Sequence, residues 1–400
     1  MSAPRPIGSG VRVVMIRRLL LYFGALSLGC TVAADQPTAP RDDNRDGWSA
    51  PVVLASGQGR IAGGDFMVAV FEGQDNRLLL RRSSDNGASW TTAQELPFRG
   101  SIPLYRTFTA SASALFLAYT GTDGNLYFAS SNDAGGSWLV SPAISKTVVE
   151  RPHRVAIAIG GTRVLPVVHV SNGREFGAGA DRRLFYWRSL DRGASFTDVT
   201  VLDSSPGGPV NPSLAATGSN VYVVYERWSE GQVYFRRSSD GGATWTPPVR
   251  LSDPAEGSAF RPRVTLADDV VVATWQQDIP GPPLTQRIGV TRSLDGGASW
   301  SVPRYATPPN RKFNHQVVTS APGGWIMLAF IEGDPGSTAA TLQYTASRDY
   351  GLTWTPPETV MVQSVVGTSQ PFEIVARGGY VHILSGPERA LYTRKRYLQQ

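Results

Sequence analysis

The 400-residue chain has a single cysteine, Cys30, which excludes a disulfide framework. Lysine is almost missing. Lys146, Lys312 and Lys395 are the only three, so arginine carries nearly all the positive charge. Codon bias would explain that preference, and so would a need for the rigid guanidinium fork that matches carboxylates. Histidine is scarce too. His153, His169, His315 and His382 are scattered without metal-ligand spacing, and neither a metal nor a cofactor is expected. No Gly-rich phosphate loop opens a helix, and no serine stands in a nucleophile elbow. The net charge is +6, but four arginines and no acid in residues 1–34 account for most of it. The remainder is too nearly neutral to argue for a nucleic-acid partner.

What the chain has in abundance is a repeated turn. Ser83 to Trp90 reads SSDNGASW, and the frame Ser-x-Asp-x-Gly-x-x-aromatic returns at Ser131 to Trp138, Ser189 to Phe196 and Ser238 to Trp245. It returns again at Ser293 to Trp300 and Ser347 to Trp354. Its aspartates, Asp85, Asp133, Asp191, Asp240, Asp295 and Asp349, are about 48 to 58 residues apart, a period that signals a propeller or similar array. Each position has a local reason. The Asp can accept backbone N–H groups of its own turn, the Gly two residues on can take a positive φ, and the aromatic can pack back onto the sheet. Asp-Asn-Gly and Asp-Gly-Gly do not make a calcium loop, because the alternating acids and closing Glu are missing.

Each box lies between two β-rich runs, with two further apolar strands upstream, such as Val221 to Tyr225 and Val270 to Trp275. Four strands per unit make a propeller blade. The expectation is an all-β, closed β-propeller of seven four-stranded blades, with six blades plus an extra strand as the alternative. The last unit, beginning at Phe372, lacks an outer strand, and Trp48 to Leu54 reads like the segment that follows a box. Asp43, five residues before Trp48, even looks like the remnant of one. Pairing the termini would close the ring and remove exposed sheet edges. Residues 48–400 are thus expected to form one domain, preceded by a polar linker over 35–47 and a leader over 1–34.

Arg17-Arg18 followed by the apolar run Leu19 to Leu28 fits a signal-peptide core and is too short to span a membrane. Met15 offers an alternative start. Two endings compete: Val32-Ala33-Ala34 fits a cleavage site, and Leu26 to Cys30 resembles a lipoprotein box that would lipidate Cys30. The expectation is export, as a periplasmic, secreted or outer-membrane lipid-anchored monomer that touches membrane only through Cys30.

The box hairpins occupy one face, so the first-strand entries and the turns after the second strands share the opposite one. First-strand entries carry Arg60, Tyr105, Arg106, Arg151, Arg154, Asn211, Arg261, Arg263, Asn314, His315 and Gln370. The turns carry Glu72, Asp123, Glu226, Asp278, Glu332 and Glu388. Arginines and amides beside carboxylates can bind a sugar or an acidic ligand by bidentate bonds, or can pair among themselves. Arg106, Arg154, Arg261, Arg263 and Tyr225 are the candidate ligand-binding residues.

The six boxes resemble the Asp-boxes, or BNR repeats, of the sialidase superfamily, over nearly the whole chain after Asp43. That resemblance implies structural boxes on the rim, away from the active face. For a sialidase it further implies three arginines on a substrate carboxylate, a tyrosine nucleophile paired with glutamate, and an aspartate acid/base. The family's aromatic-Arg-Ile-Pro signature is broken here. Gly59-Arg60-Ile61-Ala62 lacks the aromatic and the proline, and Phe260-Arg261-Pro262-Arg263 stands in the fifth unit without the isoleucine. Sialidases usually have six blades. No catalytic residue is therefore carried over from the family. On chemistry alone, Glu226 and Asp278 are the acid/base candidates, the latter on a Pro-rich loop from Gln276 to Gln286. Tyr225 and Glu226 are sequence neighbours, so in a strand they point to opposite faces. Two functional classes stay open: an exported glycan-recognising propeller, an exo-acting, sialidase-like glycoside hydrolase on an acidic sugar if it turns substrate over, or a non-catalytic carbohydrate-binding or protein-interaction scaffold at the bacterial envelope.

Overall fold

A computed structural model describes residues 47–103, 106–144, 154–160, 165–171, 182–197, 199–282, 285–309, 312–333, 340–362, 372–386 and 390–397. The leader, Cys30, Asp43, Tyr105, Arg151, His153, Gln370 and Glu388 lie outside them. Among the described residues the chain is all-β, with only two short 3-10 turns at Gln74–Asn76 and Pro254–Glu256. No helix there is long and apolar enough to cross a membrane.

The strands form five four-stranded antiparallel sheets and one eight-stranded sheet. The larger sheet is two runs of four strands, joined where Gly100 and Ser101 pair with Gly121 and Thr120. The first strands of the successive runs are Gly59–Gly63, Phe108–Ser111, Arg154–Ile157, Pro209–Thr217, Ala259–Ala267, Phe313–Ala321 and Phe372–Arg377. Phe372–Arg377 packs beside Gly59–Gly63, at the two extremes of the described chain. Strand Val52–Ala55 pairs with Ala390–Arg396, Val52 standing opposite Tyr392, so a four-stranded sheet draws strands from both ends.

The apolar cores lie between consecutive sheets. Leu184 and Tyr186 of one sheet pack with Val221, Val223 and Tyr225 of the next. Leu384 and Tyr392 pack in the same way against Ile61, Phe71 and Trp90. Apolar residues on both faces are what a sheet sandwiched between two others requires.

The repeated turns all close alike. At the fourth, Ser238 Oγ donates to Asp240 Oδ1 (2.7 Å) and accepts the Gly242 N–H (2.7 Å). Asp240 then takes the Thr244 N–H at 2.9 Å and its hydroxyl at 2.6 Å. Gly242 has φ +89°, and a Cβ there would stand 2.1 Å from the Tyr186 hydroxyl of the preceding sheet. The box aromatics also reach that preceding sheet rather than folding back on their own. Trp245 meets Tyr186 edge-on at 4.9 Å, Trp300 meets Phe235 at 4.8 Å and Trp90 meets Tyr392 at 5.1 Å. Trp48 does the same against Tyr344 at 5.2 Å.

The arginine preference has a visible use here. The residue before the box serine is often arginine, and it donates to a box carbonyl on the following sheet. Arg82 reaches Ala134 O, Arg188 reaches Asp240 O, Arg237 reaches Gly296 O and Arg292 reaches Asp349 O, all within 3.0 Å. Arg394 reaches Asn86 O at 2.6 Å, from the last sheet to the first. A planar fork can hold such a carbonyl with a geometry that a lysine ammonium does not fix.

Candidate anion-binding site

Three consecutive first strands break register at the same place. The ladder shifts between Val210 and Ser213, between Phe260 and Arg263, and between Asn314 and Gln316. In each bulge one residue is left-handed: Asn211 (φ 52°), Arg261 (φ 51°) and His315 (φ 57°). A bulge re-aims side chains out of the regular alternation, and strained non-glycine backbone gathers at functional sites.

These residues are stitched together across sheets. Asn211 Nδ2 donates to Glu226 Oε2 at 2.6 Å, and the same oxygen accepts the Arg261 N–H at 3.1 Å. Arg154 donates to Asn211 Oδ1. Arg261 Nη1 reaches Gln276 Oε1 at 3.2 Å, while Gln276 Nε2 holds Phe313 O at 2.7 Å. Gln316 Nε2 donates to Arg261 O at 3.2 Å. The Arg261 backbone is thereby fixed at both N–H and C=O, and its partly exposed side chain lies against Gln276.

A second carboxylate completes the centre. Glu373 pairs with the fully buried Arg60, Oε1 to Nε at 3.3 Å, and its Oε2 accepts the Ile61 N–H at 3.0 Å. Arg60 also holds Gly59 O and Pro103 O. Arg106 reaches across to Val318 O on a distant first strand. Burial pushes the Glu226 carboxyl up, against the pull of Asn211, Arg154 and Arg261. It also pushes Glu373 up, opposed by Arg60, Arg106 and Arg263. Burial lowers Arg182, which lies within electrostatic range of Arg154 and Glu226. Among the described residues, six guanidinium groups, from Arg60, Arg106, Arg154, Arg182, Arg261 and Arg263, thus lie within hydrogen-bond or electrostatic range of one or other of these two carboxylates.

His315 responds to that field. Burial first, then Arg261, Arg263 and Arg154, hold its imidazole down to about 3, so it is neutral at pH 7. Its Nδ1 is buried without a hydrogen-bond partner among the described residues. His382, buried against Tyr392 with Nδ1 to hydroxyl at 2.7 Å, is likewise held down to about 3 by burial. Between the free value of 6.5 and about 3, the unfolded chain binds protons that the folded chain refuses. Each histidine therefore subtracts stability as pH falls through that window, by at most about 1.4 kcal/mol per pH unit. The raised carboxyls of Glu226 and Glu373 act in the opposite sense. Both imidazole rings are expected to stay neutral at pH 5 in NMR titrations, and a ring that titrates near 6.5 would contradict this placement.

The structure separates the remaining candidates. Tyr225 is corrected as a ligand-binding residue: it is fully buried in an apolar core, and its hydroxyl donates to Asp203 Oδ2 at 2.6 Å. Burial and that carboxylate push the phenol far up. Asp203 also receives Arg227 Nη2 at 2.8 Å. Glu226 points the other way along the strand, so the pair shares no site. At 1% exposure, Glu226 acts on its neighbours rather than on solvent. Arg263 is 7% exposed, with Nη1 on Pro262 O. Asp278 stands in strand Val270–Ile279, not on a loop, opposite Gln286, whose amide it accepts at 2.9 Å. Burial raises its carboxyl. Asp123 is taken up by Asn125 and Tyr127 of its own turn. The sequence reading missed Glu373, Arg182, Gln276 and Gln316; an acid on the first strand of the last unit was the available signal for Glu373. No group of three metal-ligating side chains occurs among the described residues.

No protein-family model and no curated protein matches this chain. Solved structures do. The polysaccharide lyase Uly1 aligns over 89% of this chain and 93% of its own, with 10% identity and a TM-score of 0.51. The fold is that of a β-propeller. Other propellers to which it is similar include the Hadza microbial sialidase Hz136, at 13% identity over 83% of this chain and 73% of that one, with a TM-score of 0.46. The α-L-arabinanase of Penicillium chrysogenum complexed with arabinobiose aligns at 13% identity over 90% of this chain and 98% of that one, with a TM-score of 0.47. At such identities the likeness is one of propeller fold.

Proposed function

We propose that this chain is an exported, closed seven-bladed propeller that binds an acidic glycan at the arginine centre. One observation carries the reading: among the described residues, guanidinium groups from several first strands gather near two carboxylates and a neutral histidine, the donor chemistry that suits a carboxylate-bearing ligand. Bulged first strands and cross-sheet bonds hold those groups in place before any ligand arrives, which lowers the ordering cost of binding. The seven first strands, and the sheet that draws strands from both ends, support the ring; the bonded boxes serve it as rim turns. Carbohydrate-active propellers among the structural neighbours favour a sugar as the ligand. A leader cleaved after Ala34, or a lipid on Cys30, would deliver the protein to the envelope as a monomer.

Binding is favoured over sialidase-type hydrolysis because Tyr225 and Glu226 face apart and Tyr225 is bonded to Asp203. Glycoside hydrolysis is the second reading, and what favours it is the Asp278 carboxyl, which burial raises in the direction a general acid requires. Calorimetric titration should find glucuronic acid or N-acetylneuraminic acid bound, and their methyl esters bound at least tenfold more weakly. A fluorogenic sialoside and neutral exo-glycosides, run alongside, separate binding from turnover. Equal affinity for acid and ester, or no binding of either, would sink the proposal.

A further inference from the structure

Ten tryptophans stand in the chain, and the box tryptophans are taken up between sheets. Trp228 differs. Its residue is 58% exposed, the one aromatic among the large exposed apolar residues described. It follows strand Asn220–Arg227 directly, two residues beyond Glu226, or about 7 Å along an extended chain. That is the end of the sheet carrying the arginine centre, opposite the box turn.

The turn is built firmly. Trp228 N–H donates to Gly208 O at 3.2 Å, and Ser229 Oγ donates to Pro206 O at 2.9 Å. Gly231 N–H closes the turn on Arg227 O at 2.9 Å. Gly208 has φ +68°, and a Cβ on it would stand 2.2 Å from Cβ of Arg182. Arg182 in turn lies within electrostatic range of Arg154 and Glu226. Backbone and side-chain contacts therefore run from Arg182 through Gly208 to the Trp228 backbone, with Arg182 in electrostatic range of the guanidinium cluster.

We infer that Trp228 is a stacking platform for a second sugar unit, so that the ligand is an acidic oligosaccharide or polysaccharide rather than a single acidic residue. This rests on the acidic-glycan reading above. A pyranose presents an apolar C–H face that suits a flat, amphipathic indole, while its carboxylate-bearing neighbour enters the arginine cluster. A rigid aromatic on a bonded turn loses little freedom on binding, so the contact adds to affinity. The arginines then select charge, and Trp228 selects chain length.

The test compares monomer with oligomer: glucuronic acid with a hyaluronan tetrasaccharide, and N-acetylneuraminic acid with its α2,8-linked tetramer. Wild type is expected to bind at least one tetrasaccharide about tenfold or more tightly than its monosaccharide, with a change in tryptophan fluorescence. Trp228→Ala should erase that preference and leave monosaccharide affinity unchanged, and Trp228→Tyr should restore part of it. Circular dichroism and thermal melting would verify that these surface variants fold. Tetrasaccharide affinity unaffected in Trp228→Ala, or no preference in wild type while the monosaccharide still binds, overturns the stacking subsite alone. Wild type that binds neither monosaccharide nor oligosaccharide overturns the acidic-glycan reading itself.

Discussion

Replacing Glu373 with alanine is expected to lower the unfolding free energy by about 3–5 kcal/mol, because it strands a buried charge. Arg60 is fully buried, and its Nε has Glu373 Oε1 at 3.3 Å. Gly59 O and Pro103 O satisfy two of its other nitrogens but supply no countercharge. The same substitution leaves the Ile61 N–H without its 3.0 Å acceptor. Both losses fall where Phe372–Arg377 meets Gly59–Gly63, the contact between the last and first sheets. Urea unfolding monitored by tryptophan fluorescence measures the effect. Pairing Glu373→Ala with Arg60→Met should recover part of the loss, since removing both charges costs less than orphaning one. A single-variant loss below about 1 kcal/mol would mean that water or another carboxylate serves Arg60.

The second large effect is on ligand. Arg261→Gln is expected to weaken binding of an acidic sugar by roughly tenfold or more, since a charge-assisted hydrogen bond contributes about 1.5–3 kcal/mol. Glutamine keeps a hydrogen-bonding group on a shorter, uncharged side chain, and the Arg261 backbone stays tied to Glu226 and Gln316. The fold should therefore survive, with melting close to wild type. Arg154→Gln, on a separate first strand, should act similarly and shows whether several guanidinium groups share one anion. Affinity for neutral sugars should not move with either substitution. Uniform loss for acidic and neutral sugars alike would point to a collapsed site, and no loss at all would remove both arginines from it.

The same geometry explains why so much was readable in the chain and where the reading stopped. Each box is settled within eight residues: serine, aspartate, the left-handed glycine and the closing Ser or Thr bond one another, so the turn is encoded locally. Repetition then gave sheets of four strands, and apolar residues on both strand faces demanded a neighbouring sheet on each side. The arginines, Asn211, His315 and Glu226 could also be assigned to one end of the sheets, because strand direction alone decides that.

The sequence by itself therefore determined the all-β repeat, the turn chemistry and the face on which charge collects. Only the tertiary structure decided which of those charges meet. Burial of Tyr225 in a core and its bond to Asp203 depend on a strand two residues short of the turn facing the preceding sheet. The convergence of Arg60 with Glu373 depends on first strands about 310 residues apart in sequence lying side by side. The bulges at Asn211, Arg261 and His315 turn side chains out of strict alternation, and a one-residue change of register would send each to the other face. Turn bonds are short-range and survive any such shift. A site shared among several sheets does not, because every member must be delivered in register by a different strand.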